Sequence, residues 1–537
     1  MSLTLAGDDA SLASRFAALR THRDVAILLE VSSRTLGFYL HKAHNYRNFS
    51  LTKRTGGTRV VSAPVSPLKI IQRKLNQVLH AVYRSRGPVH GFVRGRSIVS
   101  NAQQHLQKHL LLNFDLEAFF PSIHFGRVLG LFESLPYSVP HSAALTLARI
   151  CCHDGALPIG APTSPIVANM ICAQMDSQLK SLARQSACRY TRYADDLSFS
   201  THYNRFHPAV ALQDFSTRKW TIGDGVTSIV SANWFKINPS KTRVLSRGSR
   251  QEVTGLIVGQ KVNVKRKFVR QVRAMVHAAE RYGVKLAAEE FYLKYDRRQR
   301  LRPKPDFLKV LRGKIEFIGA VRGRDDIIYL RLADRFRLLD PRARFKPVIV
   351  GPKATIEVLE RAIWLIEEEN GPIQGSAFAG EGFDLITAAH VLTDATKATC
   401  APASLRNLPV AVAKKDDHVD VARGIVSARI PVQLRLGDPS RLRAGDSLRV
   451  LGFPMHRDGG SVQVTHGRIT GFSPWHAVPH CIVDCAIIRG NSGGPVLNDQ
   501  NEVVGIAIKG QGIPKRFEND DELSRFVPID FAIGYLR

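Results

Sequence analysis

The spacing of apolar and polar residues divides the chain into two parts. In the first part, segments with apolar residues at helical spacing, such as Leu68 to Leu79, alternate with strand-like runs. After Gly351-Pro352, short apolar runs are broken by Gly, Pro, Asp and Asn, a pattern typical of a β-barrel or β-sandwich. The exception is Ala354 to Asn370, for which the spacing predicts a connecting helix. We therefore expect a mixed α and β part followed by an all-β part.

Two adjacent carboxylates stand in the most informative strand-like stretch, Arg192 to Phe199. Apolar and β-forming residues flank Asp195 and Asp196, which predicts a hairpin with the acids at its tip. Asp115 follows another apolar run and would supply a third carboxylate from a neighbouring strand. Carboxylates so placed suit two-metal nucleotidyl transfer, although a lone Asp-Asp pair is more often a solvated turn. The motifs around them favour the metal site.

Composition limits the class of protein. The chain has 537 residues, of which 44% are hydrophobic, enough for about two to four domains with buried cores. No long uncharged apolar window is present, and the first residues lack a basic start before an apolar core. We therefore expect neither a membrane span nor a secretory signal. The seven cysteines are scattered without a C-x-x-C pair, which indicates reduced thiols in a cytoplasmic protein.

The charge is distributed unevenly along the chain. Residues 1–350 carry 56 Lys and Arg against 24 Asp and Glu, whereas residues 351–537 carry 20 against 22. The net charge of +32 in the first part predicts a polyanionic partner for that part alone. Prolines from Pro341 to Pro347 coincide with the reversal of charge and mark the seam.

Further motifs surround the carboxylates in a definite order. They are Phe119-Phe120-Pro121-Ser122-Ile123, then residues 157–165, then Tyr193-Ala194-Asp195-Asp196, then residues 237–242. In content and order, residues 45–260 resemble the palm of reverse transcriptases. Asn101-Ala102-Gln103-Gln104-His105 and Val253-Thr254-Gly255 resemble the N-A-x-x-H and V-T-G elements of bacterial retron reverse transcriptases, which narrows the resemblance.

The resemblance implies roles for these residues. Asp115, Asp195 and Asp196 would hold two Mg²⁺ ions, assisted by the backbone carbonyl of Leu116. One ion would activate the primer hydroxyl and the other would stabilise the departing pyrophosphate. The residues expected to bind dNTP or template are Arg59, Phe120, Gly160, Pro162, Ser164 and Lys241.

Several of these roles have alternatives. Phe120 stands where the family excludes a ribose 2′-OH, but plain core packing would explain it equally well. Arg59 is either a triphosphate clamp or an ordinary duplex contact. Lys241 is either a general acid to the leaving group or a positioning charge. Gly160, Pro162 and Ser164 would shape the loop under the template and the incoming nucleotide.

Resemblance to retron enzymes also implies a structured non-coding RNA as partner. The residues expected to recognise it are Asn101, His105, Val253, Thr254 and Gly255. Basic residues from Lys261 to Arg302 predict a helical thumb that grips nucleic-acid phosphates. The product would be a branched RNA–DNA molecule made from dNTPs and primed by the 2′-OH of a guanosine.

A serine motif is the second strong signal, Gly490-Asn491-Ser492-Gly493-Gly494-Pro495-Val496. Small residues around a serine let backbone N–H groups converge as an oxyanion hole, worth ~3–4 kcal/mol per donor. Upstream stand Thr387-Ala388-Ala389-His390-Val391 and Asp420-Val421-Ala422. The strings and the order His–Asp–Ser resemble trypsin-like serine proteases over residues 370–537.

The protease resemblance implies a catalytic triad that needs no cofactor. Ser492 would attack the peptide carbonyl, His390 would transfer its proton, and Asp420 would orient His390. The N–H groups of Ser492 and Gly490 would bind the oxyanion. Asp416 and Asp417 lie close to Asp420, but the D-x-A pattern of the family favours Asp420.

These observations predict an α+β right-hand polymerase with fingers, palm and thumb, followed by an all-β chymotrypsin-like double barrel. The expected parts are a helical extension (1–45), fingers and palm (46–260), a basic thumb (261–345), a linker with a connector helix (346–370) and the protease (371–537).

The predicted function is that of a retron reverse transcriptase that makes branched DNA on its RNA and carries a protease effector against phage. The substrate of the protease is an unknown protein, and an oligomer is possible. Two alternatives remain: a defence reverse transcriptase with a protease but no branched product, and an RNA-binding scaffold with a vestigial polymerase.

Overall fold

The computed structural model describes residues 4–41, 45–52, 58–85, 87–214, 216–217, 219–295, 304–369, 371–401, 405–457, 460–508 and 524–537. The chain forms two compact units, Met1–Lys265 and Arg266–Arg537. The basic residues expected on the thumb between 296 and 303 lie outside the described part of the chain. Within that part, no helix has the length and apolar character needed to cross a bilayer.

The first unit begins with three short helices, α1 (Asp9–Ala17), α2 (His22–Leu28) and α3 (Ser33–His41). The first two begin at capping residues, because Asp8 and Thr21 accept hydrogen bonds from backbone N–H groups of the first turn. A hairpin of β1 (Tyr46–Thr52) and β2 (Thr58–Pro64) follows, and then α4 (Ser66–Val82). The helical spacing between Leu68 and Leu79 is confirmed by α4, whose apolar face is buried.

The rest of the first unit surrounds a central sheet. Its helices are α5 (Ile98–Gln103), α6 (Phe125–Glu133), α7 (His141–Cys151), α8 (Ser164–Ile171), α9 (Ala173–Gln185) and α10 (Asp224–Ala232). Its strands are β3 (Leu110–Leu116), β4 (Arg189–Tyr193), β5 (Asp196–Thr201), β6 (Ala211–Gln213), β7 (Trp220–Ile222), β8 (Ile237–Ser246), β9 (Glu252–Val253) and β10 (Leu256–Ile257).

The central sheet is antiparallel, with the strand order β4-β5-β3-β8. Side chains alternate between its faces. Phe114 and Phe199 are fully buried on one face and stack with their ring centroids 6.3 Å apart. The carboxylates of Asp115 and Asp196 therefore lie on the other face, which is the palm surface.

The second unit opens with three helices, α11 (Arg266–Tyr295), α12 (Phe307–Arg322) and α13 (Ile327–Leu339). They match the helical thumb expected from the sequence. Gly283 bends α11, since it has a φ of +81° inside the helix. Asp306 and Asp326 cap the next two helices through their carboxylates.

The segment from Ala354 to Asn370 corrects the sequence prediction of a connector helix. After β11 (Val348–Ile349), only α14 (Ile356–Leu359) and a 3-10 turn are helical, and β12 (Ile363–Glu368) follows. The prediction was wrong because residues 363–366 form a continuous apolar run, all at most 4% exposed. A short apolar run suits a strand buried on both faces as well as it suits a helix.

The remaining strands confirm the double barrel. They are β13 (Gln374–Phe378), β14 (Leu385–Thr387), β15 (Thr396–Cys400), β16 (Leu408–Asp416), β17 (Val421–Val426), β18 (Val432–Gln433), β19 (Arg435–Leu436), β20 (Ser447–Gly452), β21 (Gln463–Trp475), β22 (Val478–Val483), β23 (Pro495–Leu497), β24 (Glu502–Ile508) and β25 (Arg525–Pro528). Helix α15 (Ile529–Leu536) ends the chain. The first barrel closes in the order β12-β13-β14-β17-β16-β15. Six antiparallel pairings close the second, in the order β20-β21-β22-β25-β24-β23.

Within the second unit, the last thumb helix is tied to the first barrel. Asp334 of α13 pairs with Arg337 at 2.7 Å and also with Arg361, which lies in the 3-10 turn that precedes β12. These three side chains are only 11–16% exposed. A charge buried to this degree is costly to leave unpaired, so the cluster should resist separation of the two parts.

Candidate active sites

The palm carboxylates are positioned by backbone pairing. Asp115 on β3 and Asp196 on β5 are register partners in the central sheet. The N–H of Leu116 donates to the carbonyl of Asp195 at 3.0 Å, which ties the hairpin turn to β3. The turn residue Ala194 has a φ of +59°. The sequence prediction of a hairpin with acids at its tip and a third acid on a neighbouring strand is confirmed.

The electrostatics of this site favour a bound cation. Burial raises the pKa of Asp196 to about 8, and a hydrogen bond that protonated Asp196 donates to Asp115, with repulsion by Asp115 and Asp195, adds to the effect. The ammonium of Lys241 contacts Asp115, and this contact raises the pKa of Lys241. Within the described residues, no three ligating side chains converge into a complete metal cluster. The carboxylate donors nevertheless suit Mg²⁺, which prefers oxygen ligands and relieves such repulsion.

A cavity of about 500 Å³ adjoins the carboxylates. Asp115, Asp196 and Lys241 line it together with Thr254 and Gly255. The structure thus brings part of the V-T-G element beside the carboxylates. The sequence alone gives no sign of this proximity, because more than fifty residues separate these elements.

The N-A-x-x-H element is buried, which corrects the prediction that Asn101 and His105 recognise RNA. Asn101 is 1% exposed and His105 is fully buried. The His105 ring lies 2.7 Å from the hydroxyls of both Ser200 and Thr191, and burial lowers the pKa of His105 to about 3. The imidazole is therefore neutral and braces the two strands of the carboxylate hairpin from behind.

The V-T-G element is buried at its first residue and exposed at its last. Val253 is fully buried and so offers no surface to RNA, whereas Gly255 is exposed. Thr254 and Gly255 have φ angles of +45° and +83°. The sequence prediction of RNA contact is therefore corrected for Val253 and stays a prediction for Thr254 and Gly255.

The loop of residues 157–165, expected under the template, packs against the hairpin of β1 and β2. Gly160 has a φ of +122°, and a Cβ there would lie 2.9 Å from the carbonyl oxygen of Ser62. Ser164 is 1% exposed and its hydroxyl donates to the carbonyl of Pro158 at 2.7 Å, so it braces the loop instead of touching template. Pro162 is half-buried. The predicted template contact is thus corrected for Ser164.

The two predicted dNTP contacts near the fingers stay predictions. Phe120 is half-buried against the core, with its ring 5.2 Å from that of Phe119. This placement agrees with both of the roles considered for it. Arg59 lies on β2 opposite Leu51, but its side chain is outside the described part of the structure.

Sequence reasoning missed a buried ion pair that supports the carboxylate turn. Arg192 and Asp176 are both fully buried and form two hydrogen bonds, at 2.8 and 2.7 Å. Arg192 also donates to the carbonyl of Ala194 at 3.0 Å, inside the turn between the strands. The only sequence signal was an arginine directly before Tyr193, which does not reveal its distant partner.

In the protease part, His390 and Asp420 form the expected pair. The Nδ1 atom of His390 lies 2.8 and 2.9 Å from the two carboxylate oxygens of Asp420. The backbone N–H of His390 donates to the same carboxylate at 3.0 Å. Asp420 has a φ of +60°, an uncommon conformation that aims its side chain. Asp416 instead accepts N–H bonds within its own turn, and Asp417 pairs with Lys415.

The serine loop has the backbone form of an oxyanion hole. Gly490 and Gly493 have φ angles of +97° and +82°, which favour glycine. Within the described residues, the N–H groups of Gly490 and Ser492 donate to no protein acceptor. Within the same residues, the Ser492 hydroxyl forms no hydrogen bond with the protein, whereas the His390 ring is bound to Asp420 through Nδ1.

Comparison with known families agrees with both sites. Residues 51–265 match the family described as reverse transcriptase (RNA-dependent DNA polymerase). Residues 374–506 match the trypsin-like peptidase domain. The chain therefore carries both domains, in the order expected from the sequence.

Individual relatives cover the two parts separately. The retron Mx65 reverse transcriptase of Myxococcus xanthus is 34% identical over 49% of this chain and 64% of its own length. The retron Ec86 reverse transcriptase of Escherichia coli is 34% identical over 47% of this chain and 76% of its own. A probable periplasmic serine endoprotease DegP-like of Pseudomonas putida is 31% identical over 30% of this chain and 33% of its own. The chain thus spans somewhat less than two thirds of the Mx65 enzyme.

Proposed function

This chain belongs to the retron reverse transcriptases, and we propose that it copies part of a structured non-coding RNA into branched DNA and uses its own serine protease as the effector of an anti-phage response. The observation that carries the proposal is the presence, in one chain, of two sites whose key side chains are paired. Asp115 and Asp196 are paired in the palm, and His390 and Asp420 are paired in the double barrel.

For the polymerase, the carboxylates of Asp115, Asp195 and Asp196 and the carbonyl of Leu116 would hold two Mg²⁺ ions. When bound, these ions supply activation of the priming hydroxyl and neutralise charge on the leaving pyrophosphate. Lys241 already lies against Asp115 and would add positive charge near the triphosphate of the incoming dNTP. The buried pair of Arg192 and Asp176 keeps the carboxylate turn in place during synthesis.

For the protease, Ser492 attacks the peptide carbonyl while His390 takes its proton and then gives it to the leaving amine. Asp420 fixes the tautomer of His390 by accepting the hydrogen bond from Nδ1 and stabilises the imidazolium that forms. The N–H groups of Gly490 and Ser492 stabilise the oxyanion.

We further propose that the RNA and its DNA product remain bound in the bacterial cytoplasm and control the protease. The charge of +32 over residues 1–350 supports a lasting polyanion partner. The cluster of Asp334, Arg337 and Arg361 offers a route of control, since it joins a thumb helix to the first barrel. We favour activation by the bound product over restraint, because nothing in the protease sequence marks an inhibitory segment.

The vestigial-polymerase alternative is less favoured, because all three acids are present and Asp115 and Asp196 are paired. The test is to purify the protein from its host and sequence the nucleic acid bound to it. We expect one RNA species joined to a DNA strand through a 2′–5′ linkage that a debranching enzyme cleaves. A bound DNA without that branch would support the other alternative, a defence polymerase outside the retron mechanism.

A further inference from the structure

Ser376 holds both ends of the loop that carries the serine nucleophile. Its backbone N–H donates to the carbonyl of Ser492 at 2.8 Å, and its hydroxyl donates to the carbonyl of Gly490 at 2.6 Å. The same hydroxyl accepts from the N–H of Phe453 at 2.9 Å. Ser376 is fully buried on β13 of the first barrel. One residue of that barrel thus fixes two carbonyls of the nucleophile loop.

These contacts determine where the oxyanion donors point. A peptide unit is planar, so a fixed carbonyl also fixes the N–H of the same peptide. The Gly490 carbonyl and the Ser492 carbonyl belong to the peptides on either side of the one that carries the Ser492 N–H. The Gly490 N–H shares its peptide with the carbonyl of Arg489, which accepts from Met455 at 2.9 Å. The Asn491 carbonyl, in the same peptide as the Ser492 N–H, accepts from the N–H of Gly494 at 2.9 Å. Ser376 therefore anchors the two peptides that flank this one.

The space around the loop leaves little room for another arrangement. A Cβ at Gly493 would lie 2.2 Å from the carbonyl oxygen of Ser376, and a Cβ at Gly452 would lie 2.7 Å from its hydroxyl. The hydroxyl of Thr387 donates to that carbonyl at 2.7 Å. Ser376 is therefore itself held from several sides, as a residue that sets geometry requires.

We propose that Ser376 is a positioning residue of the protease, which orients the oxyanion-hole N–H groups through the carbonyl of Gly490 without touching the substrate. The proposal rests on the proposed peptidase function. Removal of the hydroxyl leaves the Gly490 carbonyl and the Phe453 N–H without their partner, and the loop can turn. Because the donors act on charge that develops in the transition state, the loss falls on kcat and not on KM.

A purely structural role for Ser376 makes a different prediction, and Thr396 provides the matched control. Thr396 lies on β15 of the same barrel, is 2% exposed, and accepts a hydrogen bond from the N–H of Thr393 at 2.8 Å. Thr396→Val therefore removes a comparable buried hydrogen bond at a turn instead of at the nucleophile loop. If Ser376 had only a structural role, Ser376→Ala and Thr396→Val would reduce the reactivity of Ser492 equally.

The experiment measures how fast a fluorophosphonate probe labels Ser492 in the full-length protein with its co-purified nucleic acid. We expect Ser376→Ala to slow labelling by about tenfold to a hundredfold, because misaligned donors lose part of the oxyanion stabilisation. Thr396→Val should stay within about threefold of the unsubstituted protein, although both variants lower the melting temperature. Ser376→Cys retains a weaker donor and should fall in between, and it serves as the test if Ser376→Ala does not fold.

Two results would overturn the proposal: labelling of Ser376→Ala or Ser376→Cys at the unsubstituted rate, or an equal loss in Thr396→Val. Failure of the proposed function looks different. In that case the unsubstituted protein would be labelled no faster than Ser492→Ala, and the Ser376 and Thr396 variants would have no specific labelling to compare.

Discussion

Asp115 and Asp196 face each other as register partners on two adjacent antiparallel strands of the palm. This pairing brings together, in one site, two carboxylates that are 81 positions apart in the sequence. Neither strand could slip by one residue without moving its carboxylate to the buried face of the sheet. The position of the polymerase chemistry is therefore determined by the hydrogen-bond register of β3 and β5.

Removal of the hairpin acids should stop DNA synthesis without releasing the RNA. We expect Asp195→Asn with Asp196→Asn to abolish detectable DNA product, because the ligands for Mg²⁺ are lost while the basic surface remains. The measurement is gel analysis of nucleic acid bound to the purified variant. Full-length DNA on the double variant would contradict the assignment of these acids.

His105 should make the stability of the palm depend on pH. Its pKa in the folded protein, about 3, lies below the ordinary value of 6.5, so the unfolded chain binds more protons between those values. This stability is complete above pH 6.5 and is lost as pH falls, by about 1 kcal/mol between pH 7 and pH 5.5. Urea unfolding read by pulse proteolysis should show this loss shrink in His105→Gln. The exposed His207 provides the control, and an equal effect of His207→Gln would contradict the prediction.

The two parts of the chain should differ in their affinity for RNA. A fragment that ends at Val350 retains the net charge of +32 and should bind the partner RNA with a steep dependence on salt. Residues 351–537 carry −2 and should bind it poorly. Filter binding across a range of KCl concentrations separates these outcomes, and stronger binding by the second fragment would reverse the assigned roles.

The Asp334 cluster should transmit the state of the thumb to the protease. In Asp334→Asn the pairs with Arg337 and Arg361 are weakened, so bound nucleic acid should alter fluorophosphonate labelling of Ser492 less than it does in the unsubstituted protein. Nuclease treatment before labelling measures that effect. Asp438→Asn, at an exposed pair with Arg441, is the matched control. An undiminished effect of nuclease in Asp334→Asn would exclude this route.

Local chemistry made both sites recognisable from the sequence, because the carboxylate hairpin and the serine loop each need particular residues close together in the chain. Contacts between distant residues were not predictable. The sequence around Arg192 does not indicate Asp176 as its partner, and the sequence around Ser376 does not indicate that its hydroxyl donates to the carbonyl of Gly490. The burial of Asn101 and His105 was also not predictable from the sequence. Both are polar, and they lie in the short helix α5 and just after it, yet both side chains are buried. The strand β12 was missed because four consecutive apolar residues fit either periodicity.

The central claim is that the polymerase and the protease act in one defence mechanism with Ser492 as its effector group. The direct measurement is a phage challenge of cells that carry the RNA with the unsubstituted protein, Ser492→Ala, or the Asp195→Asn and Asp196→Asn double variant. Ser492→Ala should still make branched DNA but lose protection, because removal of the nucleophile leaves a far slower residual reaction. The double variant should lose protection without becoming toxic, if the product activates the protease. Full protection by Ser492→Ala would contradict the account.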